Sequence, residues 1–324
     1  MSQTMKAIVI TAPGGPEVLE TIDLPKPVPK PGQVLIRVKA FGVNRSEMFT
    51  RQGISADVKF PRVPGIEAVG LVDDAPGGEF REGDVVATCM GGMGRAFDGG
   101  YAEYTCVPAS FVLVIKTKIS WEQLGALPEM ISTVWHSLFL SLQLKKEDYL
   151  LIRGGTSSIG LAAAAIAKGF GCASVAATTR NRDRVAMLTS NGADDVFLDN
   201  GSIVKEVRLR RPKGYSKVLE LVGPAVLEDS LKCVEEQGIV CVTGVAGGKW
   251  TIDSFHPFMI PTSVCLTSYT GQIGLAGVPL DEIAQQLVDG ALRIPIKTFH
   301  MSEIVEVHRM LEESSAAAKI VVLV

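Results

Sequence analysis

The segment that most constrains this chain is Leu150-Leu151-Ile152-Arg153-Gly154-Gly155-Thr156-Ser157-Ser158-Ile159-Gly160. An apolar run leads into it, and an Ala-rich run from Leu161 to Ala167 leads out. That is the order strand, tight turn, helix. Gly154 suits the turn, the small residues around Ser157 let backbone amides approach a pyrophosphate, and Gly160 lets the helix pack on the strand. The amino terminus of such a helix faces the phosphates. Ser157 stands where the middle glycine of G-x-x-G-x-x-G falls, so the match is imperfect. Gly154, Thr156, Ser157, Ser158, Ile159 and Gly160 are the expected dinucleotide contacts.

The choice of nucleotide shows at the end of the next strand, which reads Thr178-Thr179-Arg180-Asn181-Arg182-Asp183-Arg184. An NAD site usually places Asp or Glu there for the ribose hydroxyls. Here no acidic residue lies between Gly160 and Asp183, and three arginines cluster after the strand. Guanidinium suits a 2′-phosphate by charge and by paired donors. NADP(H) is therefore expected over NAD(H), with Arg180 and Arg184 on the phosphate and Thr179 offering a hydroxyl.

Around this unit the chain changes texture. At 324 residues it is about twice a typical domain length, which favours two lobes. The first 120 residues or so alternate β-branched runs (Lys6 to Ile10, Gln33 to Val43, Glu67 to Val72, Asp84 to Cys89, Tyr101 to Val107) with Pro- and Gly-rich punctuation, as in a small irregular barrel. From Ser120, a helix cap with Gln123 three residues on, a helical stretch through Trp135 and Leu142 is expected, and the pattern then becomes strand and helix in alternation. Helices are expected over Ile159–Lys168, closed by Gly169, and over Ala225–Glu236, and strands over Tyr149–Arg153, Ala173–Thr179, Val196–Leu198, Lys217–Val222 and Ile239–Val245. Consecutive units of this kind imply a parallel sheet covered on both faces. After Cys265 come helices at Leu280–Asp289 and Ser302–Glu313 and a closing strand, Lys319–Val324. The expected division is 1–122, 123–264 and 265–324, the last returning to the first lobe.

Composition excludes several classes. A net charge of −3 gives no general attraction to nucleic acid or anionic membrane. The longest apolar stretch, Ile159 to Ala167, is too short to span a bilayer, and the amino terminus lacks the apolar core of a signal peptide. The six cysteines are scattered without a C-x-x-C pair, which suits reduced thiols in the cytoplasm.

With the motifs placed, the chain resembles the medium-chain dehydrogenase/reductases, in particular their quinone oxidoreductase branch. Ala40-Phe41-Gly42-Val43-Asn44-Arg45-Ser46-Glu47, Pro64-Gly65-Ile66-Glu67-Ala68-Val69-Gly70, Arg81-Glu82-Gly83-Asp84-Val85-Val86 and Gly99-Gly100-Tyr101-Ala102-Glu103-Tyr104 carry the likeness, together with the Gly154 turn. It extends from Met5 to Val322. The resemblance implies an α/β protein: a GroES-like β-rich catalytic domain plus a Rossmann doubly wound parallel-sheet cofactor domain. It also implies a homodimer and hydride transfer in a cleft between the lobes. The zinc-dependent alcohol dehydrogenases of this superfamily carry a cysteine at the place of Asn44 and a histidine at the place of Ile66. Neither ligand is present, and Glu67 alone cannot hold a catalytic zinc, so a zinc-independent site is expected.

Without a Lewis acid, the simplest chemistry is hydride delivery from NADPH to an electron-poor small molecule, a quinone or an α,β-unsaturated carbonyl. Asn44 is expected to position the nicotinamide ribose or the substrate. The resemblance adds Thr133 as a cofactor-contacting threonine, Tyr269 as a residue close to the nicotinamide, and Val222, Gly223, Gly244, Val245 and Lys319 as lining of the cofactor site. Two other readings stay open: a 2-alkenal or enoyl-thioester reductase, and an NADPH-binding protein with little turnover.

Overall fold

Alternating and β-branched residues build the first strands. Met5, Ala7 and Ile8 to Ile10 turn inward along β1 (Thr4–Ile10), which pairs antiparallel with β2 (Leu19–Pro25). The longest strand, β3 (Gln33–Val43), ends at Asn44, which caps the short helix α1 (Arg45–Arg51). Strands β4 (Glu67–Asp74), β5 (Val85–Cys89), β6 (Tyr104–Pro108) and β7 (Val112–Val114) follow, with β4 on β3, β5 on β4, β7 on β5 and β6 on β3, all antiparallel. Helices α2 (Trp121–Leu124) and α3 (Pro128–Trp135) come next, and the chain continues into a π-helical turn over His136–Ser141.

The second set of elements alternates strand and helix as far as β12: β8 (Tyr149–Arg153), α4 (Ser158–Phe170), β9 (Ser174–Thr179), α5 (Val185–Ser190), β10 (Asp195–Leu198), α6 (Val204–Arg210), β11 (Tyr215–Glu220), α7 (Leu227–Cys233) and β12 (Val234–Val242), with β13 (Cys265–Ser268) following. The six strands are parallel in the order β10-β9-β8-β11-β12-β13. This is the doubly wound order that reverses direction between its first and fourth strands, here β8 and β11, and ligands bind outside the strand ends at that reversal. Afterwards α8 (Leu280–Val288), β14 (Ile296–His300), α9 (Ile304–Glu312) and β15 (Lys319–Leu323) return to the first sheet, where β15 pairs parallel with β14 and antiparallel with β3.

The computed structural model describes residues 3–55, 58–313 and 316–324. They fall into two compact units. The first runs to Ser132 and takes in Gly271–Gly290 and Pro295–Val324; the second comprises Thr133–Thr270 and Ala291–Ile294. The boundary thus lies past residue 122, because α2 packs on β3, β4 and β15 of the first unit. In the first unit Ile8, Val34, Ile36, Phe41, Val86 and Val322 belong to one buried core. In the second, Leu151, Ala176, Phe197, Val218 and Val240 form the core under the sheet.

Three local expectations change. Helix α4 runs on to Phe170 and is closed by Gly171, whose φ of 89° takes the left-handed cap that Gly169 was expected to provide. Helix α7 stops at Cys233 rather than near Glu236, because Val234 is already extended and pairs with Tyr215. The helix expected from Ser120 to Leu142 is broken into α2, α3 and the π-turn. Among the described residues, no helix is long and apolar enough to cross a membrane. All six cysteines are free.

Candidate functional site

In the second unit, β8 delivers the chain into the glycine-rich turn. Gly154 has φ of 88°, and a Cβ on Gly155 would stand 2.8 Å from the Ala177 Cβ. A Cβ on Gly160 would lie 2.6 Å from the Gly154 carbonyl oxygen and 2.7 Å from the Gly155 Cα. Only hydrogen fits there, as helix-on-strand packing at this turn demands. Ser157 is the cap of α4: its hydroxyl donates to Gly154 O (2.8 Å) and accepts from Gly160 N (3.1 Å). The serine in the place of the middle glycine therefore folds its side chain back onto the turn. The amide nitrogens of Thr156, Ser158 and Ile159 have no hydrogen-bond partner among the described residues. Three open N–H groups at the start of a 13-residue helix form a cradle suited to an anion, so the turn fits a dinucleotide pyrophosphate.

Neighbouring loops are held by a buried charge network that the sequence did not reveal. The Glu220 Oε1 accepts from the amides of Val222 (2.6 Å) and Gly223 (2.9 Å), while Ser230 donates its hydroxyl to Oε2. Burial pushes the Glu220 carboxyl above its ordinary value. Gly223 has φ of 89°, and a Cβ there would meet the Gly244 carbonyl at 2.8 Å. Gly244 in turn donates its amide to Glu220 O at 3.2 Å. The 222–223 and 244–245 loops are thus stitched together at the carboxyl ends of β11 and β12. Beneath them, fully buried Arg153 makes a bidentate pair with Asp199 (2.8 and 3.0 Å) and reaches Asp229 (2.7 Å). Burial would raise the Asp199 carboxyl, but the Arg153 hydrogen bonds and charge outweigh it and hold it low.

At the end of β9, Arg180 and Arg182 are exposed and Arg184 is half-buried. None of the three has an ion-pair partner among the described residues. Thr179 differs from the expectation: it is 3% exposed and its hydroxyl is engaged with the Asn181 backbone, donating to O and accepting from N at 3.1 Å. Tyr269 follows β13. Its hydroxyl bonds His136 Nδ1 at 3.2 Å, and the two rings stack at 5.3 Å, so it is a packed tyrosine in this unit. Thr133 is buried on α3.

In the first unit, Asn44 lies between β3 and α1. The β15–β3 register pairs Ile320 with Val43 and so sets Lys319 beside Asn44. Lys319, grouped above with the cofactor contacts, is 1% exposed and donates instead to Asn44 Oδ1 and to Glu67 Oε1 (2.7 Å). The same Glu67 oxygen accepts from Asn44 Nδ2 at 2.8 Å, and Glu67 Oε2 accepts from the Glu129 amide at 2.9 Å. A side chain on Gly42 would run into both Glu67 and Lys319. Glu47, also buried, accepts from the amides of Asn44 (3.1 Å) and Ile66 (3.0 Å). Burial, reinforced by the neighbouring Glu67 charge, pushes Glu47 up to about 7. Burial works against the Lys319 ammonium, but Glu67 and Glu129 outweigh it and keep it charged. Among the described residues no group of three or more His, Cys, Asp or Glu is placed to hold a metal ion.

These features agree with what the chain is similar to. Its residues 30–117 match the alcohol dehydrogenase GroES-like domain, and residues 158–274 match the zinc-binding dehydrogenase domain. Human quinone oxidoreductase (Homo sapiens) is 30% identical over 249 residues, covering 75% of this chain and 74% of the relative. The structure of a Pseudomonas syringae quinone oxidoreductase superposes with a TM-score of 0.89 at 24% identity, covering 99% of this chain and 100% of the other. A mycobacterial protein solved in complex with NADPH gives 0.85 at 23% identity, over 99% and 100%. At these identities the two structures speak for the fold. The chain belongs to the medium-chain dehydrogenase/reductase family, among its quinone oxidoreductase-like members. It is an oxidoreductase that uses a nicotinamide cofactor.

Proposed function

We propose that this chain is an NADPH-dependent reductase that reduces a quinone or another α,β-unsaturated carbonyl without zinc. The observation that carries the reading is the pairing of three open amides (Thr156, Ser158, Ile159) at the start of α4 with unpaired arginines after β9. The amides would hold the pyrophosphate, and Arg180 and Arg184 the 2′-phosphate. The loops of Val222, Gly223, Gly244 and Val245, fixed by Glu220, would wall the nicotinamide end. Bound NADPH supplies the hydride. The chain's own task is to orient, to exclude water and to offer a donor to the oxygen on which charge develops. Asn44 is the residue proposed for that donor. The acceptor class comes from the relatives, which are quinone oxidoreductases by name.

The absence of zinc chemistry rests on the donor set: Asn44 and Glu67 are bound to the Lys319 ammonium, which a divalent cation cannot share. A cytoplasmic setting suits the six free thiols. A homodimer is the proposed assembly, supported by β13 at the sheet edge and by Phe258, 92% exposed, just before it.

The test is an acceptor screen with 1,2-naphthoquinone, a simple enone and crotonyl-CoA, with NADPH and NADH in parallel and with and without chelator. Quinone reduction preferring NADPH and indifferent to chelator is expected. Turnover with crotonyl-CoA alone would assign an enoyl-thioester reductase, and binding without turnover a cofactor-binding protein. Arg180→Glu removes one charge-assisted contact of about 1.5–3 kcal/mol, so the preference for NADPH should fall roughly tenfold to a hundredfold. An unchanged preference would remove Arg180 from the phosphate site.

A further inference from the structure

The family includes zinc enzymes, yet at Asn44 this chain has built something else. Four buried or half-buried side chains from four elements converge: Asn44 after β3, Glu47 on α1, Glu67 on β4 and Lys319 on β15. Both ends of the Asn44 amide meet a charged group. Oδ1 accepts from the Lys319 ammonium, and Nδ2 donates to the Glu67 carboxylate at 2.8 Å. An amide can usually turn end for end at little cost, since its oxygen and nitrogen are nearly alike in shape. Here a turned amide would set NH2 against an ammonium and a carbonyl oxygen against a carboxylate. Gly42 keeps room for the pair, because a Cβ there would strike Glu67 and Lys319 together.

We propose that Lys319 is a positioning residue for the reaction, fixing Asn44 so that its Nδ2–H side is the group offered to an acceptor oxygen of the bound reactants. This rests on the reading above that Asn44 meets the reactants. Nδ2 carries two hydrogens. One is held by Glu67; the other has only a long contact to Glu47 Oε1, 3.4 Å, and is the one available for a ligand. Oδ1 is taken by a cation, so Asn44 is a donor and not an acceptor. The ligand atom it suits is therefore a carbonyl or ribose oxygen, never an N–H or an ammonium.

The chain has only four asparagines, Asn44, Asn181, Asn191 and Asn200, so selective 15N-asparagine labelling resolves the Asn44 side chain directly. In the wild type two distinct Nδ2 proton signals, slow to exchange with solvent, are expected. A pair that exchanges freely with solvent would overturn the proposal without any variant. Lys319→Met should shift those signals and speed their exchange with solvent. The double variant Lys319→Met/Glu67→Gln removes both charges at similar size and guards against simple misfolding from an unpaired buried carboxylate.

NADPH affinity by fluorescence titration, and kcat and KM for the acceptor, are then compared in both variants. A loss of roughly tenfold to a hundredfold in kcat with NADPH affinity unchanged assigns the oxygen to the acceptor. A comparable loss in NADPH affinity assigns it to the ribose. A folded double variant with wild-type affinity and kcat shows that Lys319 merely neutralises Glu67 and ends the proposal. Wild-type protein that reduces no acceptor would sink the functional reading instead, while the wild-type amide signals still report on the Lys319–Asn44 contact.

Discussion

Single atoms decide the nucleotide turn. The Gly154 carbonyl oxygen accepts from the Ser157 hydroxyl and lies against the Gly160 Cα hydrogens. Adding one methyl group at position 160 forces that carbonyl to move, and with it the line of open amides. Gly160→Ala should therefore destabilise the second unit by about 1–3 kcal/mol and weaken NADPH binding about tenfold or more, checked by urea unfolding and fluorescence titration. Native-like affinity would mean that the turn has slack the geometry does not suggest. The glycines were legible in the sequence because their role is local. Ser157 was legible as an exception, but its compensating bonds to Gly154 and Gly160 show only in three dimensions. Arg153 was not legible as a hub, since its partners Asp199 and Asp229 lie 46 and 76 residues away. Its one trace was a charged residue closing the buried strand Leu150-Leu151-Ile152.

Elements are joined by buried polar staples as well as by apolar faces. Helices α1 and α9 meet through Arg51, which is fully buried, donates from Nε to His308 Nδ1 at 3.3 Å and pairs with Glu312. Because Nδ1 accepts, the ring proton sits on Nε2 and points to the Tyr101 hydroxyl, 3.3 Å away. A second proton on His308 would face the Arg51 guanidinium. Burial, with the Arg51 charge adding to it, pushes the imidazole down to about 3. The unfolded chain takes up that proton near 6.5, so this staple gives its full stability above pH 6.5 and loses it as pH falls towards 3. The loss amounts to about 5 kcal/mol across that window. His308→Gln, which can accept from Arg51 and donate to Tyr101 without titrating, should flatten the acid limb of a stability–pH profile measured by denaturant melts. A variant with the wild-type slope would remove His308 as its source. None of this could be read from the sequence, where Arg51 and His308 are 257 residues apart and each resembles a surface residue. The alternation of β-strands and helices was legible; the ends of α4 and α7 shifted because Gly171 and the Tyr215–Val234 pairing, not composition, stop those helices.

At the scale of the molecule, the parallel sheet ends at β13, beyond which no strand pairs with it among the described residues. An open edge invites pairing, and the segment leading to it exposes Phe255 and Phe258. In an isologous dimer each such residue is buried twice. Phe258→Asp should then cost the proposed dimer about 3–6 kcal/mol, taking 1.5–3 kcal/mol for each aromatic side chain, and shift sedimentation from dimer to monomer. A wild-type monomer, or a variant that sediments as a dimer, would place the assembly elsewhere or dispense with it.

The order of the chain adds a last consequence. The first unit supplies Asn44 and Glu67 early, but the lysine that pairs with Glu67 and bonds the Asn44 amide arrives on β15, after the whole second unit has been made. During synthesis, then, the carboxylate waits in water and the edge of β3 stands unzipped. That seam can close only once the last strand has been made, and its closure is what brings the lysine to the Asn44 amide proposed above as a donor.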